Sequence, residues 1–324
     1  MATRLGFIGF GIMGERLLRA TLAHDRRTLT VSGVFDPSPE AAGRLAAIDP
    51  QVPACATAAE VIAASDCLHI ATPPLSHLAY LRQCHAAGKA AFCEKPLATD
   101  VVEATRVVSD LAARGMRAGV NFPFASSFAR DYLQQWMADG VIGTPERLDI
   151  TLAFARWPRA WQMAAIGWLD GRAEGGFTRE VGSHFLFLTR RCFGPLTLLS
   201  ARCDYPEPGR SERAIRAELK AGALPVMLSG GVGTTDKDDT NTWTVTGSKG
   251  RIRLRDWSIA EREVDGQWQA PPDALPNAEM RPLILRRQLD KVAAMARGEV
   301  HDLASLGEAL EVQGVVEQIL ATGA

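Results

Sequence analysis

The chain has 324 residues, 47% of them apolar and 23% charged; this length suits two domains rather than one small core, in an ordinary globular balance. With 36 basic and 37 acidic side chains the formal net charge is −1, so no basic excess exists to neutralise a nucleic-acid backbone or an anionic membrane, which argues against both as partners. Six cysteines, none in a C-x-x-C pair or at zinc-finger spacing, read as reduced thiols of a cytoplasmic protein, with no metal site expected.

Met1-Ala2-Thr3-Arg4 runs directly into an apolar strand at residues 5–10. That stretch is broken by glycines and lacks a small-residue cleavage site, which argues against a signal peptide. No segment approaches the roughly 18 consecutive apolar residues of a membrane span. Residues 12–24 carry Met13, Leu17, Leu18 and Leu22 at helical spacing. A β-rich run at 30–35 closes at Asp36-Pro37, and Ser38-Pro39-Glu40 reads as a helix start with Ser38 as N-cap. Buried strands follow at 67–71, 90–93 and 116–121, with helices at 75–87 and 100–113 between them. Repeated β-then-α units imply a parallel sheet with helices on both faces.

The pattern changes after residue 121. A helix at 124–139 leads into longer strands with period-two alternation, as in 241–246, where Trp243 and Val245 face one way and Thr242, Thr244 and Thr246 the other. A hairpin turn at 247–250 joins a strand whose Ile252 and Leu254 alternate with Arg251, Arg253 and Arg255, and Asp265-Gly266 marks another tight turn. This reads as a mostly antiparallel sheet with one face solvated or covered by a partner. Helices at 279–297 and 303–320 end the chain. The expected fold is α/β: a doubly wound parallel-sheet domain over 1–121, then an α/β domain with a mostly antiparallel sheet over 122–324, its last helices free to pack back on the first domain.

Gly9-Phe10-Gly11-Ile12-Met13-Gly14 matches G-x-G-x-x-G, and here it follows a strand, opens a helix and precedes a second strand that ends in Asp36. Asp36 lies 22 residues after Gly14, near the spacing of about 20 of a ribose-binding acid. Gly9 permits the tight turn, Gly11 lets the backbone approach a pyrophosphate, Gly14 lets helix and strand pack closely, and the helix N-terminus offers free N–H groups to the diphosphate. A carboxylate at Asp36 repels a 2′-phosphate. Pro37, Ser38 and Pro39 supply no arginine to receive one, and only Arg44, further along, could. NAD(H) is therefore expected over NADP(H).

With Thr72-Pro73-Pro74 and His77, the tripeptide Glu94-Lys95-Pro96, and the run Gly175-Gly176 to Gly182-Ser183-His184, the chain resembles the Gfo/Idh/MocA oxidoreductases, which include glucose–fructose oxidoreductase, inositol dehydrogenase and dihydrodiol dehydrogenase. The resemblance extends over essentially the whole chain, in motifs at the amino-terminal end and mainly in pattern beyond it. It implies hydride transfer between a nicotinamide and a small hydroxyl or carbonyl substrate of sugar, polyol or cyclic-alcohol type. It assigns Lys95 to stabilising the reacting oxygen, His184 to general acid–base work and Glu180 to orienting His184 or binding a substrate hydroxyl. Glu180 stands where the family usually has an aspartate, at i, i+4 from the histidine. Phe187 stands where a second aspartate is common, which with the apolar run 185–188 suggests a less polar pocket than a sugar dehydrogenase has.

Thr72, Pro73, His77 and Glu94 are expected against the cofactor with Lys95. Asn121 is expected to donate to the carboxamide or the substrate. Trp157, Trp161 and Trp168 either wall the substrate pocket or pack beneath the sheet, with Trp161 the substrate candidate, while Arg156, Arg159 and Arg179 either meet an acidic substrate group or, as expected for each, lie at the surface. The remaining histidines, His69 among them, read as structural or exposed. The resemblance further implies a homodimer or homotetramer formed through the carboxy-terminal sheet. Three alternatives stay open: a non-enzymatic NAD(H)-binding regulator, an enzyme with transient redox that cleaves a glycoside, and an imine reductase.

Overall fold

The computed structural model describes residues 1–323. By the density of contacts the chain falls into two compact units, residues 1–126 with 282–310, and residues 127–281 with 311–324.

In the first unit the elements run β1 (Thr3–Ile8), α1 (Ile12–Leu22), β2 (Leu29–Phe35), α2 (Pro39–Ile48), α3 (Ala58–Ala64), β3 (Cys67–Ile70), α4 (His77–Ala86), β4 (Ala90–Cys93), α5 (Val101–Ala113) and β5 (Ala118–Val120). The five strands pair in parallel in the order β2-β1-β3-β4-β5. A parallel bridge from Val34 to Ala54 extends the sheet past β2, so the direction of winding reverses between β1 and β3, the topological switch point of a doubly wound sheet. All residues of β3 and β4 are buried, as a sheet covered on both faces requires.

Local chemistry fixes the helix starts. Thr57 caps α3 through Glu60 N (3.2 Å) and Asp100 caps α5 through Glu103 N (2.9 Å). Ser38 does precede α2, but its hydroxyl turns to Glu40 rather than to a backbone amide. The helix expected at 75–87 opens with a 3₁₀ turn, Pro74–Ser76, before α4. Phe7, Phe10, Leu17, Leu18 and Phe92 meet Leu289, Val292 and Met295 in one core.

The second unit contains α6 (Phe128–Ala138), β6 (Pro145–Phe154), a short α7 (Ile166–Leu169), α8 (Ser183–Phe193), β7 (Leu196–Asp204), β8 (Ala214–Ala221), β9 (Leu224–Val232), β10 (Asp239–Gly247), β11 (Gly250–Arg255), β12 (Ile259–Val264) and β13 (Gln267–Gln269). Two helices, α9 (Asn277–Arg297) and α10 (Leu306–Ala321), complete the chain. The eight strands pair in the order β13-β12-β11-β10-β6-β9-β8-β7, antiparallel except for β6 beside β9. One face is apolar: Leu148, Ile150, Leu152 and Phe154 of β6 stand opposite Val245, Trp243, Asn241 and Asp239 of β10. α8 lies on this face, where the Trp243 indole N–H donates to Thr189 Oγ1 at 2.9 Å. On the other face Arg251 pairs with Glu263, and Arg253 and Arg255 pair with Glu261.

Candidate active site

At the switch point the glycine turn has the geometry its sequence implies. Gly9 sits at φ +95°, and a Cβ there would lie 2.6 Å from the Ala71 carbonyl carbon at the end of β3. A Cβ on Gly14 would lie 2.2 Å from Gly9 O, so α1 packs against the turn as only glycine allows. A Cβ on Gly11 would meet nothing within 4 Å. Gly11 is the exposed N-cap of α1, with no side chain capping the helix. The free amides therefore open onto space of the kind a diphosphate fills.

Asp36 ends β2 beside this turn. Its Oδ2 accepts from Phe10 N at 2.6 Å and its Oδ1 from Ser38 N at 2.8 Å. Each oxygen keeps a lone pair for a further donor. Arg44 donates to Phe10 O at 2.7 Å, with its guanidinium over the Phe10 ring, so Arg44 braces the glycine turn. Phe10 is buried in the core, whereas Ile12 and Met13 are half-buried on the first turn of α1.

Across the switch point, Thr72 and Pro73 follow β3. His77 is fully buried, with Nδ1 2.9 Å from Pro96 O and Nε2 2.8 Å from Thr72 O. It thus ties the two loops after β3 and β4 together. Burial pushes its ring below the ordinary histidine range against the pull of the two carbonyls, and a neutral ring donates to one of them at a time.

Lys95 is half-buried at the end of β4. Beside it, Glu94 points into the protein. Its Oε1 lies 3.0 Å from His69 Nε2 and accepts from Asn121 Nδ2 at 2.6 Å. Asn121 Oδ1 in turn accepts from Gln288 Nε2 at 2.9 Å. Every member of this chain is at most 6% exposed. Asn121 therefore gives one of its two amide hydrogens to Glu94 and its oxygen to Gln288. His69 lies between Phe7 and Phe92 with Nδ1 unpartnered. The tautomer protonated on Nε2 suits this setting, because it leaves a lone pair rather than a buried N–H without a partner.

Burial alone would raise the Glu94 carboxyl, but the hydrogen bonds from His69 and Asn121 and the Lys95 charge outweigh it and hold it below the usual range. A depressed carboxyl stabilises the fold above its unfolded pKa and loses that contribution as pH falls through the folded value. Glu94→Gln should therefore cost about 2 kcal/mol at neutral pH. The gap in melting temperature to the wild type should begin to narrow below about pH 4.3, the unfolded carboxyl value, and go on narrowing as pH falls toward the lowered folded value; a gap constant with pH would contradict the assignment.

In the second unit the Gly175-Gly176 pair positions the helix start. A Cβ on Gly176, at φ +102°, would strike the Glu212 carboxylate at 2.2 Å. Glu212 is buried and accepts from both Thr178 N and Thr178 Oγ1 at 2.7 Å; burial raises its carboxyl above the usual range. Thr178–Gly182 forms a π-helical turn that feeds α8. Such turns are frequent at functional sites.

His184 is 6% exposed, and the Trp257 indole packs edge-on to it at 5.3 Å and 75°. Trp257 and Asp256 occupy the β11–β12 turn at φ +72° and +48°. A left-handed tryptophan is a backbone outlier of the kind that clusters at functional sites. The indole N–H reaches Asp239 Oδ2 at 3.3 Å, and the same oxygen accepts from Arg159 Nη1 at 2.7 Å. Arg159 also donates to Gln162 Oε1 and lies over Trp161 at 4.8 Å.

Arg159 and Arg179 are each 6% exposed, against the expectation of surface placement, and only Arg156 is exposed. Arg179 is committed to Glu317 and to the carbonyls of Arg172 and Gly175. Trp157 packs on Phe154 and Phe177 as core, Trp168 is half-buried, and Trp161 is 42% exposed. The apolar run 185–188 is interior packing. Asp239, Trp257 and Asn241 were not singled out by sequence; only the period-two pattern of β10 places the two β10 residues on one face.

No group of His, Cys, Asp and Glu able to hold a metal occurs among the described residues, and no helix among them is long and apolar enough to cross a membrane.

Residues 3–122 match the model of the oxidoreductase family with an NAD-binding Rossmann fold, Gfo/Idh/MocA. An inositol 2-dehydrogenase of Cereibacter sphaeroides is 35% identical over 136 residues, 41% of this chain and 40% of that protein; the chain thus spans about two-fifths of that relative. An oxidoreductase from Agrobacterium radiobacter, solved in complex with NAD+, L-tartaric acid and magnesium, superposes with a TM-score of 0.83 at 17% identity over 100% of this chain and 98% of its own. The 3-ketoreductase KijD10 from Actinomadura kijaniata, in complex with NADP and TDP-benzene, gives 0.81 at 18% identity over 100% and 98%. These likenesses show that the fold of both units is shared.

Proposed function

We propose, from the match of residues 3–122 to the model of the Gfo/Idh/MocA oxidoreductase family, that the whole chain is a nicotinamide-dependent dehydrogenase or reductase. Its substrate is a small hydroxyl or carbonyl compound of sugar, polyol or cyclic-alcohol type. One observation carries the reading: the glycine turn leaves open space at Gly11 beside free helix amides and the Asp36 carboxylate. When bound, NAD(H) supplies the hydride acceptor or donor. Gly9 to Gly14 and the start of α1 hold its diphosphate, and Asp36 holds the adenosine ribose hydroxyls. Thr72, Pro73 and the Glu94-Lys95-Pro96 turn border its nicotinamide end.

Lys95 stabilises the substrate oxygen as it gains negative charge in reduction, or holds the alkoxide in oxidation. His184 takes the hydroxyl proton in oxidation and returns it in reduction. Glu180 positions His184 or a substrate hydroxyl. The Glu94 network keeps the Lys95 turn in place.

We further assign NAD(H) as the preferred cofactor, because the Asp36 carboxylate opposes a 2′-phosphate. Asp36→Ser should shift the ratio of NADPH to NADH affinity by about tenfold or more toward NADPH, as read by fluorescence titration. An unchanged ratio would remove Asp36 from the ribose site. Hydride transfer itself is tested by screening polyols, hydroxy acids, dihydrodiols and cyclic imines with both nicotinamides, and no turnover of any class would overturn it. The outer face of the eight-stranded sheet, with its paired arginines and glutamates, is the surface we assign to a second copy of the chain, and light scattering reads the oligomeric state. Reduced cysteines accord with a cytoplasmic setting.

A further inference from the structure

Three observations gather around the turn that carries Trp257, whose indole packs on His184. The first is the Arg159–Asp239 pair. Arg159 is buried against Trp161, and the single Asp239 oxygen it reaches is shared with the Trp257 indole, which packs on His184. The second is Arg281 on α9, six residues beyond Leu275, whose carbonyl accepts from Ser258 Oγ, next to Trp257. Arg281 is half-buried and has no hydrogen-bond or ion-pair partner among the described residues. Burial and the repulsion of Arg159 hold its guanidinium below the usual range, against the attraction of Asp239. Arg281 is thus a cation withdrawn from water and close to a second cation whose carboxylate is already shared. A charge in that position is costly unless something pairs with it. The third is Asn241, on the same face of β10 as Asp239 and two residues on. It is fully buried, and neither amide atom has a hydrogen-bond partner. Buried side-chain amides are almost always satisfied, so this one marks a place where a polar ligand or water belongs.

We infer that Arg281, with Arg159 and Asn241, forms an anion subsite beside His184 that selects substrates carrying a carboxylate. The inference rests on the dehydrogenase reading above and narrows it from polyols at large to hydroxy and sugar acids. A planar guanidinium matches a carboxylate in two parallel bonds. Asn241 contributes a donor and an acceptor for a neighbouring hydroxyl. Asp239 keeps Arg159 oriented and bars a second acidic group from its side.

The test uses the full chain with NAD and matched pairs that differ by one carboxylate: D-glucuronate and D-glucose, D-galacturonate and D-galactose, D-gluconate and sorbitol, L-threonate and L-threitol. The acid of at least one pair should exceed its neutral partner in kcat/KM by about tenfold or more. Arg281→Gln should raise the KM of that acid by about tenfold with kcat little changed and leave the neutral partner as it was. Arg281→Lys, which keeps the charge and loses the fork, should recover part of the loss. Neutral partners favoured in every pair, or a Gln variant that impairs acid and neutral substrates alike, would overturn the subsite. Calorimetric binding of the same acids to the NADH-loaded protein separates the two readings. Acids that bind, weaken in Arg281→Gln and never turn over leave the subsite standing and remove the dehydrogenase; acids that fail to bind remove the subsite.

Discussion

Lys95→Met and His184→Ala should each lower single-turnover hydride transfer by about two to three orders of magnitude while NADH binds within about threefold of wild type. The magnitude follows from what each group supplies. A positioned cation at the developing alkoxide is worth about 10²–10³ in rate, and a general acid–base about 10²–10⁴. Methionine keeps most of the length and apolar stem of Lys95 and removes only the charge, so the network from Glu94 to Gln288 should persist. His184 is buried against Trp257, and its loss opens a small space there. A melting curve must therefore accompany the rate measurement. Rates that hardly fall, with folding and NADH binding intact, would show that these residues are not the catalytic pair. The double variant should lose little beyond the worse single one, because groups that act on one transition state are not additive.

The amino-terminal half was legible because its signals are local. Strand, glycine turn, helix and acid follow one another within residues 5–36, and each step constrains the next. The eight-stranded sheet was legible only as alternation. Period two says which residues share a face, but not that β6 and β9 run parallel between antiparallel neighbours. What was not legible is which distant partners the site residues meet. His69 gains its role from Glu94, and Asn121 from Gln288, 167 positions away. Arg159 looked like one surface charge among several until Asp239, 80 positions on, was found against it. Trp257 was hidden for another reason: turn chemistry leads one to expect Gly or Asn at a left-handed position, and a tryptophan there gives no turn signal at all.

The three glycines of the turn should separate folding from cofactor binding. Gly14→Ala places a methyl 2.2 Å from Gly9 O, and Gly9→Ala places one 2.6 Å from the Ala71 carbonyl at φ +95°. Backbone atoms cannot yield as a flexible side chain can, so α1 or the β3 end must shift. The expected cost is about 3 kcal/mol for each, and NADH binding should fall with stability. Gly11→Ala differs. Its φ of −75° and ψ of −165° suit alanine, and the added methyl meets no protein atom within 4 Å. Melting temperature should therefore stay within about 1 °C of wild type. The methyl would project into the space assigned to the diphosphate, so NADH affinity should fall by about tenfold or more. A Gly11→Ala variant that binds NADH as tightly as wild type would place the cofactor elsewhere, whatever the other two variants do. One that loses stability along with Gly14→Ala would mean that this space closes around the turn in the free protein. Only loss of affinity at unchanged stability is consistent with a turn shaped for a ligand.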